Sequence, residues 1–346
     1  MEKIITNRIK VGGVKIGEGA PVSIQSMTKT DTRNVPATVR QIKELEKAGC
    51  EIIRVAIKDF EAAAAIKAIK RKINLPLVAD IHFDYRLALC AIENGADKIR
   101  LNPGNIYKEN EIKEVVGLAK KKKIPIRVGA NSGSIRNRAE GKGLRADNIV
   151  KPVLDYIKIL ERMDFYDIIV SLKASDVLST IEAYKLFSKK SKYPLHLGIT
   201  AAGPASTGIV KSAIGIGALL LDGIGDTIRV SLTGNPVEEV IAAKNILQAL
   251  NLRNFGPEII SCPTCGRCQV NLEKIAEEVG SRVKSEGCKE QVKIAIMGCE
   301  VNGPGEAKEA DVGIACGKGS GVIFKKGKIV KRVKEKDIVR ELLKNI

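Results

Sequence analysis

Three short stretches, IIRVAI (52–57), PLVADI (76–81) and KIRLN (98–102), decide the fold. Each is a run of apolar and β-branched residues typical of a buried strand, and each carries a charged or polar residue at or near its end. Five similar runs occur in the first three quarters of the chain: VSIQSM (22–27), PIRVGAN (125–131), DIIVSLKA (167–174), LHLGIT (195–200) and DTIRVSL (226–232).

Helical patterns fill the segments between these runs. ATVRQIKELEKAGC (37–50) and VEEVIAAKNILQAL (237–250), for example, place apolar residues at i, i+3 and i+4. Eight strand–helix units predict an α/β fold with an N-terminal (β/α)8 TIM barrel. The alternative is an open doubly wound sheet, which is disfavoured because no GxGxxG follows the first strand.

A second, smaller α/β domain is predicted at the carboxyl end. We expect the barrel domain over residues 1–252 and the smaller domain over 253–346, with NLRNFGPE (251–258) as the linker. The smaller domain has a helical segment at 271–286 and four segments that read as strands: EIISC (258–262), VKIAIMG (292–298), DVGIACG (311–317) and VIFKKGKIVKRV (322–333).

Polar residues stand at or near the carboxyl ends of the barrel strands: Arg54, Asp80, His82, Arg100, Asn102, Arg127, Asn131, Ser171, Lys173, His196, Arg229 and Ser231. In a barrel these ends share one face, where active sites form. Four arginines and a lysine on one rim would repel one another without an anion between them, and arginine suits phosphate oxygens. The rim therefore predicts a receptor for a small, multiply charged phosphate compound.

The composition narrows the classes of partner. The formal net charge is +18, which favours anionic partners, but aromatic residues make up 3% and there is no Trp. Stacking platforms for single-stranded nucleic acid are therefore scarce, and we expect no nucleic-acid partner. No run approaches the roughly 18 apolar residues of a membrane helix, and the N-terminus lacks the apolar core of a signal peptide. We expect a cytoplasmic protein with no membrane partner.

The eight cysteines are not arranged as a disulfide framework. Cys50 and Cys90 stand alone in apolar helical contexts and are expected in the core, whereas the other six lie in the last quarter. SCPTCGRCQV (261–270) contains two overlapping Cys-x-x-Cys pairs, which suit zinc, an iron–sulfur cluster or a redox dithiol. The later cysteines are single and far apart, which favours the iron–sulfur cluster but leaves the other two open.

Further motifs make the chain resemble a known family. CPTC (262–265) is followed downstream by MGCEVNGPGEA (297–307), and the barrel region carries SIQSMTKTDT (23–32), VADIHFDYRLAL (78–89), IRLNPGNI (99–106), SLKASD (171–176), HLGIT (196–200) and GIGDTIRVSLTGNPVEEV (223–240). Together these motifs resemble, from end to end, the bacterial two-domain 4-hydroxy-3-methylbut-2-enyl diphosphate synthases of the methylerythritol phosphate pathway.

The resemblance implies a cofactor and its ligands. It assigns a 4Fe-4S cluster to Cys262, Cys265, Cys299 and the carboxylate of Glu306, and leaves out Cys268, Cys288 and Cys316. A carboxylate is a harder and more labile iron ligand than a thiolate, so it allows one iron to open for substrate.

The resemblance also implies a reaction. It is the two-electron reductive ring opening and dehydration of 2-C-methyl-D-erythritol 2,4-cyclodiphosphate to (E)-4-hydroxy-3-methylbut-2-enyl diphosphate, with electrons from ferredoxin or flavodoxin. The residues expected to contact substrate are Arg54, His82, Arg100, Arg127, Asn131, Lys173, Arg229, Ser231 and Asn302. A homodimer is implied, in which the cluster domain of one subunit faces the barrel of its partner.

One position departs from the family pattern. The family motif Thr-Glu-Ala-Gly reads Thr-Ala-Ala-Gly at 200–203, so Ala201 stands where the resemblance implies an acid/base glutamate. Either a natural variant works without this carboxylate or the substitution is engineered, and the intact surrounding motif favours the second. We expect a chain that binds substrate but turns over slowly.

Two other classes of protein fit parts of the pattern. The net charge and the Cys-x-x-Cys pairs fit a zinc-ribbon protein that binds nucleic acid. The cationic rim fits a pterin- or phosphosugar-binding barrel with a purely structural cysteine domain. Sample colour separates the first from the iron–sulfur hypothesis, and loss of the Glu306 carboxylate separates the second.

Overall fold

The structure is a computed structural model that describes residues 3–131, 146–285 and 292–346. The chain divides into two compact units, Met1–Arg253 and Asn254–Ile346. Cys288 lies outside the described residues. Within those residues, none of the helices combines the length and apolar character needed to span a bilayer.

A short hairpin, which the sequence analysis did not predict, precedes the barrel. Strand β1 (Ile9–Val11) pairs antiparallel with β2 (Val14–Ile16). Its buried side chains pack on apolar residues inside the barrel, and the cluster comprises Ile9, Val11, Ile16, Ile52, Val78 and Ile169. Because the barrel residues of this cluster lie in the amino-terminal halves of their strands or near them, the hairpin fills that end of the barrel.

Eight parallel strands form the near-closed barrel. They are β3 (Ser23–Met27), β4 (Ile52–Ile57), β5 (Leu77–Ile81), β6 (Lys98–Leu101), β7 (Ile126–Asn131), β8 (Ile168–Lys173), β9 (His196–Leu197) and β10 (Thr227–Ile228). The spatial order is β8-β7-β6-β5-β4-β3-β10-β9, and a parallel bridge from Val170 to Leu195 joins the two ends. The predicted TIM barrel is therefore confirmed, and the doubly wound alternative is wrong.

The helices alternate with the strands as predicted: α1 (Val35–Ala48), α2 (Phe60–Lys70), α3 (Tyr85–Glu93), α4 (Glu109–Lys122), α5 (Ala146–Arg162), α6 (Val177–Ser188), α7 (Ala205–Leu221) and α8 (Pro236–Ala249). Local sequence fixes several of their starts. The Asp59 carboxylate accepts a hydrogen bond from the Ala62 N–H at 2.8 Å, and Asp176 accepts one from the Ser179 N–H at 2.6 Å. Such caps stabilise a helix by about 1 kcal/mol each.

The second unit is a five-stranded α/β domain. Its elements are β11 (Glu258–Ser261), α9 (Leu272–Ser285), β12 (Lys293–Met297), α10 (Gly303–Glu309), β13 (Val312–Gly317), β14 (Ser320–Lys325), β15 (Lys328–Lys334) and α11 (Ile338–Leu343). Strands β11, β12 and β13 are parallel, and β14 and β15 continue the sheet antiparallel. The segment read as one strand, VIFKKGKIVKRV, is a hairpin because Lys326 and Gly327 both have positive φ, as a tight two-residue turn requires.

The two lone cysteines of the barrel differ in burial. Cys50 is buried as predicted, and burial raises the pKa of its thiol to about 12. The prediction is wrong for Cys90, which is only partly buried on α3. Leu87, Ala88, Ala91 and Ile92 occupy the buried face of that helix, which leaves position 90 at its edge.

Candidate active site

A cavity of about 240 Å³ opens at the carboxyl ends of the barrel strands. It is lined by Arg54, Asp80, His82, Arg100, Arg127, Asn131, Ser171, Lys173, Ile199, Thr200, Arg229 and Ser231. Eight of the nine expected substrate-binding residues are in this lining, and the ninth, Asn302, lies exposed in the second unit. The volume suits a compact ligand rather than a large one.

The strand register explains why so many polar side chains meet here. Asp80 is paired with Arg100, and Arg100 is paired with Arg127, on three neighbouring strands. Residues opposite one another in a parallel sheet project to the same face, and side chains alternate along each strand. Every second side chain of a strand therefore points into the barrel: apolar near the hairpin, as at Ile52 and Val78, and polar toward the carboxyl end, as at Arg54 and Asp80.

Asp80 is the carboxylate of the cavity lining. Its oxygens lie 3.4 Å from Arg100 Nη1, 3.9 Å from Arg54 Nε and 3.4 Å from His82 Nε2. Burial alone would raise the pKa of Asp80, but Arg54, the His82 hydrogen bond and Arg100 together hold it well below its usual range. Asp80 therefore stays ionised and orients two of the arginines.

Two cations of the lining have no such partner. Among the described residues, no carboxylate lies within 4 Å of the Arg127 or Lys173 cationic group, and Arg127 Nε and Nη1 are buried without a hydrogen-bond acceptor. Burial, followed by the charges of Arg54 and Arg100, holds the pKa of Arg127 well below its ordinary value. Buried donors without acceptors are costly, so this wall of the cavity is built to receive an anion.

Glu239 is a buried carboxylate behind the cavity that the sequence analysis did not single out. Its oxygens lie 3.7 Å from Arg229 Nε and 3.3 Å from Lys29 Nζ, and one accepts a hydrogen bond from the Leu232 N–H at 3.0 Å. It therefore holds Arg229 in place. In the sequence it is one of two adjacent glutamates in the first turn of α8, where a solvent-exposed carboxylate is ordinary.

A buried polar layer lies beneath the cavity and was also missed. Lys98 is fully buried with its Nζ 3.4 Å from Gln25 Oε1, and the Gln25 Nε2 has no partner in the described structure. His196 was expected on the rim, but it opens β9 and lies fully buried, opposite Thr227. Burial, followed by Lys173 and Arg127, holds the pKa of His196 well below its usual value, so its ring is neutral.

Asn102 and Ala201, which follow barrel strands, do not line the cavity themselves. The Asn102 Oδ1 accepts a hydrogen bond from the Gly104 N–H at 3.1 Å and shapes the loop after β6. Ala201 is exposed and follows Thr200, which lines the cavity. The Ala201 backbone has φ of 50°, a left-handed conformation.

In the second unit, two of the expected cluster ligands follow adjacent parallel strands. Cys262 comes directly after β11, and Cys299 lies two residues beyond β12. The Gly298 N–H donates to Cys262 Sγ at 3.3 Å, which links the two segments. The backbone N–H groups of Asn302, Val301 and Gly303 lower the pKa of Cys299 and so favour its thiolate.

The other two expected ligands are exposed. Cys265 lies in the loop after β11, and Glu306 is in the first turn of α10. Across residues 3–131, 146–285 and 292–346, no three cysteine, histidine or acidic side chains are close enough to hold one metal ion. By donor chemistry, three thiols and a carboxylate on neighbouring loops fit an iron–sulfur cluster with one oxygen ligand.

Two described cysteines outside the expected set, Cys268 and Cys316, have structural surroundings. Cys316 is fully buried in β13, and burial raises the pKa of its thiol to about 12. Cys268 packs so closely on the backbone that a Cβ added at Gly298 would come within 2.4 Å of its sulfur. Gly298 is therefore required where the Cys268 loop crosses the end of β12.

Fold and cavity together define a (β/α)8-barrel enzyme with a cationic pocket, joined to a cysteine-bearing α/β domain. Residues 6–244 match the family model described as the GcpE TIM-barrel domain, and residues 258–346 match the GcpE protein C-terminal domain. The chain belongs to the GcpE family, and curated relatives that match it over nearly its full length are named 4-hydroxy-3-methylbut-2-en-1-yl diphosphate synthase (flavodoxin). The resemblance and the enzyme class predicted from sequence are confirmed.

Two relatives illustrate how close the similarity is. The 4-hydroxy-3-methylbut-2-en-1-yl diphosphate synthase (flavodoxin) of Thermodesulfovibrio yellowstonii is 57% identical over 99% of this chain and 98% of its own length. The protein of the same name from Caldanaerobacter subterraneus is 58% identical over 99% of this chain and 96% of its own length.

Among solved structures, the barrel resembles Xanthomonas albilineans dihydropteroate synthase. The TM-score is 0.52 at 12% sequence identity, over 71% of this chain and 98% of that protein. At so low an identity the likeness shows a shared barrel fold and nothing about ligands.

Proposed function

We propose that this chain converts 2-C-methyl-D-erythritol 2,4-cyclodiphosphate to (E)-4-hydroxy-3-methylbut-2-enyl diphosphate in isoprenoid biosynthesis. The observation that carries the proposal is the cavity in which four arginines and Lys173 surround one lining carboxylate, Asp80. A cyclic diphosphate is a compact dianion that would compensate these charges. The family names supply the product, and the cavity supplies a receptor of matching charge and size.

The barrel residues bind and orient the substrate. Arg54, Arg100, Arg127 and Arg229 direct planar guanidinium groups toward the diphosphate oxygens, which they can contact with two parallel hydrogen bonds. Asp80 fixes Arg54 and Arg100, and Glu239 fixes Arg229, so that little ordering of these three remains to be done on binding. His82, Asn131 and Ser231 supply further hydrogen bonds at the edge of the cavity.

The second unit holds the cofactor. Cys262, Cys265, Cys299 and Glu306 are the proposed ligands of a 4Fe-4S cluster, which when bound supplies single electrons and a Lewis-acid iron. The backbone N–H groups around Cys299 favour its thiolate, as a ligand requires. The glutamate is the replaceable ligand of the set, because carboxylate oxygen binds iron less firmly than sulfur does.

The proposal also covers the electron donor, the location and assembly of the protein, and the effect of Ala201. Reduced flavodoxin or ferredoxin is the proposed electron donor, and the net charge of +18 would attract such an acidic carrier. The protein acts in the cytoplasm as a homodimer in which the cluster domain of one subunit faces the partner's barrel, which would bring Asn302 to the substrate. Ala201 makes this chain a slow variant of the family.

Anaerobic reconstitution with iron and sulfide tests the function. The expected result is a brown protein that releases the linear diphosphate when given the cyclic diphosphate and reduced flavodoxin. A colourless protein that takes up zinc instead would support the zinc-ribbon alternative. A brown protein that leaves the cyclic diphosphate intact through long incubation would contradict the proposed reaction.

Replacing the unpaired arginine tests the pocket. We expect Arg127→Met to weaken binding of the cyclic diphosphate by about 100-fold, roughly 2.7 kcal/mol, because it removes charged hydrogen bonds from a buried site. Thermal stability should hold or rise, since an unpaired buried cation is replaced by an apolar chain of similar length.

Calorimetric titration and thermal unfolding measure the two effects of that substitution. The control is Arg86→Met, which removes an exposed arginine paired with Asp84 outside the cavity. Equal affinity in the Arg127 variant and the unmodified chain would remove this residue from the binding site.

A further inference from the structure

The proposed reaction, on which this inference rests, needs a proton as well as electrons. Two electrons from the carrier break the tertiary C–O bond of the ring, whose oxygen stays on the diphosphate, and form the C=C bond. The neighbouring hydroxyl group leaves with a proton as water. The cyclic dianion, two electrons and one proton thus give the linear trianion and water. Some group at the cavity has to supply that proton.

The chemistry of the side chains that line the cavity excludes most of them as the proton donor. Arginine does not give up its proton in proteins, and Asp80 is held ionised by its cationic neighbours. Ala201 carries no acid. In the described lining, the side chains left with an exchangeable nitrogen proton are His82, Asn131 and Lys173, and the amide of Asn131 is not an acid.

His82 has both of its ring nitrogens engaged. Its Nε2 lies 3.1 Å from Arg100 Nη1 and 3.4 Å from the Asp80 carboxylate, and its Nδ1 lies 3.3 Å from Asn105 Nδ2. Asn105 Nδ2 is a donor, so Nδ1 accepts from it, and a proton on Nε2 is directed at the Asp80 carboxylate and not at a ligand. The side chain is also 41% exposed, so water reaches it freely.

Lys173, unlike His82, is buried and its side-chain nitrogen has no protein partner within the described residues. It ends β8, lies 7% exposed, and within the described residues forms neither an ion pair nor a hydrogen bond through Nζ. Gly198 leaves room for it, since a Cβ there would lie 2.5 Å from Nζ. The Thr200 N–H donates to the Ala174 carbonyl at 3.1 Å, which holds the 200–201 segment beside the end of β8.

We propose that Lys173 Nζ is the acid of the reaction and protonates the departing hydroxyl oxygen. The charged or titratable groups that share its part of the barrel are Arg54, Asp80, His82, Lys98, Arg100, Arg127, His196 and Arg229. The arginines outnumber the one carboxylate, so the ammonium form is retained through the bound diphosphate. The proton therefore becomes available where the substrate is.

The electrostatics suit this role. Burial, followed by Arg127 and Arg229, holds the pKa of Lys173 well below the ordinary lysine value. A lysine of lowered pKa is a stronger acid and is regenerated nearer to neutral pH. Because the acid has to be protonated, kcat should be constant below the pKa that Lys173 has in the substrate complex and fall as pH rises through it, while kcat/KM should fall through the lowered pKa of the free enzyme.

Lys173→Arg tests the assignment, because arginine keeps the charge that binds diphosphate but cannot serve as an acid. In the reconstituted enzyme we expect kcat to fall about 100-fold or more, with KM within about threefold, and the alkaline fall of kcat to disappear. The matched control is Arg54→Lys, another charge-conserving exchange in the lining, which should change KM and leave the alkaline fall in place.

The possible outcomes distinguish failure of the Lys173 assignment from failure of the proposed function. If the unmodified chain does not convert the cyclic diphosphate, the proposed function fails. If it does, and Lys173→Arg keeps kcat within threefold with the same alkaline fall, Lys173 is not the acid. Should Lys173→Arg not bind substrate, the unmodified chain decides alone: a kcat/KM that stays level up to about pH 10 contradicts the assignment.

Discussion

Ala201→Glu is expected to raise turnover of the cyclic diphosphate by about 10²- to 10⁴-fold, the usual contribution of a positioned general acid. The position can accept the change. Ala201 is exposed, so the longer side chain meets no packed neighbour, and its φ of 50° costs any residue with a Cβ the same backbone strain. The new carboxyl group would stand next to Thr200 at the mouth of the cavity.

Steady-state turnover at several pH values measures this effect. Ala201→Gln is the control, because it has the same length and shape but cannot transfer a proton at neutral pH. If Ala201→Glu turns over no faster than Ala201→Gln, a carboxyl group at this position has no part in the reaction. If it is faster, the gain should be lost as pH rises through the pKa of the new carboxyl group, because that group has to be protonated to act as an acid.

Glu306→Ala is expected to abolish detectable turnover, a loss of at least about 10³-fold, and to change the cluster. Removing the carboxylate leaves three thiolates, and clusters lacking a ligand lose iron readily. We expect lower iron content and an altered visible spectrum after anaerobic reconstitution. Glu309→Ala, an exposed glutamate on the same helix, is the control and should behave like the unmodified chain.

Glu306→Cys separates two roles of the carboxylate. Four thiolates should retain a full complement of iron, yet the replaceable oxygen ligand would be gone, so turnover should stay lost. Full activity in Glu306→Ala would support the barrel hypothesis with a purely structural cysteine domain. Full activity in Glu306→Cys would show that a labile ligand is unnecessary.

The barrel was predictable because two features of the sequence mark its strands. Runs such as IIRVAI are apolar enough to mark buried strands, and charged residues such as Arg54 fall at the inward-facing positions near their ends. The hairpin β1–β2 was missed because IKV and VKI are each three residues long, too short for a reliable alternation. Its role is visible only from its packing inside the barrel.

The residues that line the opening of the cavity were predictable from sequence, but the buried residues behind and beneath them were not. Residues at strand ends could be picked out by position alone, and eight expected contacts line the cavity. Glu239 and Lys98 could not be, because one looks like an ordinary first-turn acid and the other like a surface lysine before a strand. Only the contacts of the folded chain show that both have buried neighbours. His196 was placed on the rim because LHLGIT was read as a full strand, whereas the strand covers two residues.

The hairpin β1–β2 fills the amino-terminal end of the barrel, and the cavity opens at the opposite end, where the strands terminate. Val11 and Ile16 are fully buried at that end, so among the described residues we expect substrate and product to pass through the opening at the carboxyl ends of the strands. A product held by the arginines would then block the next substrate, and we expect the linear diphosphate to inhibit competitively with the cyclic diphosphate.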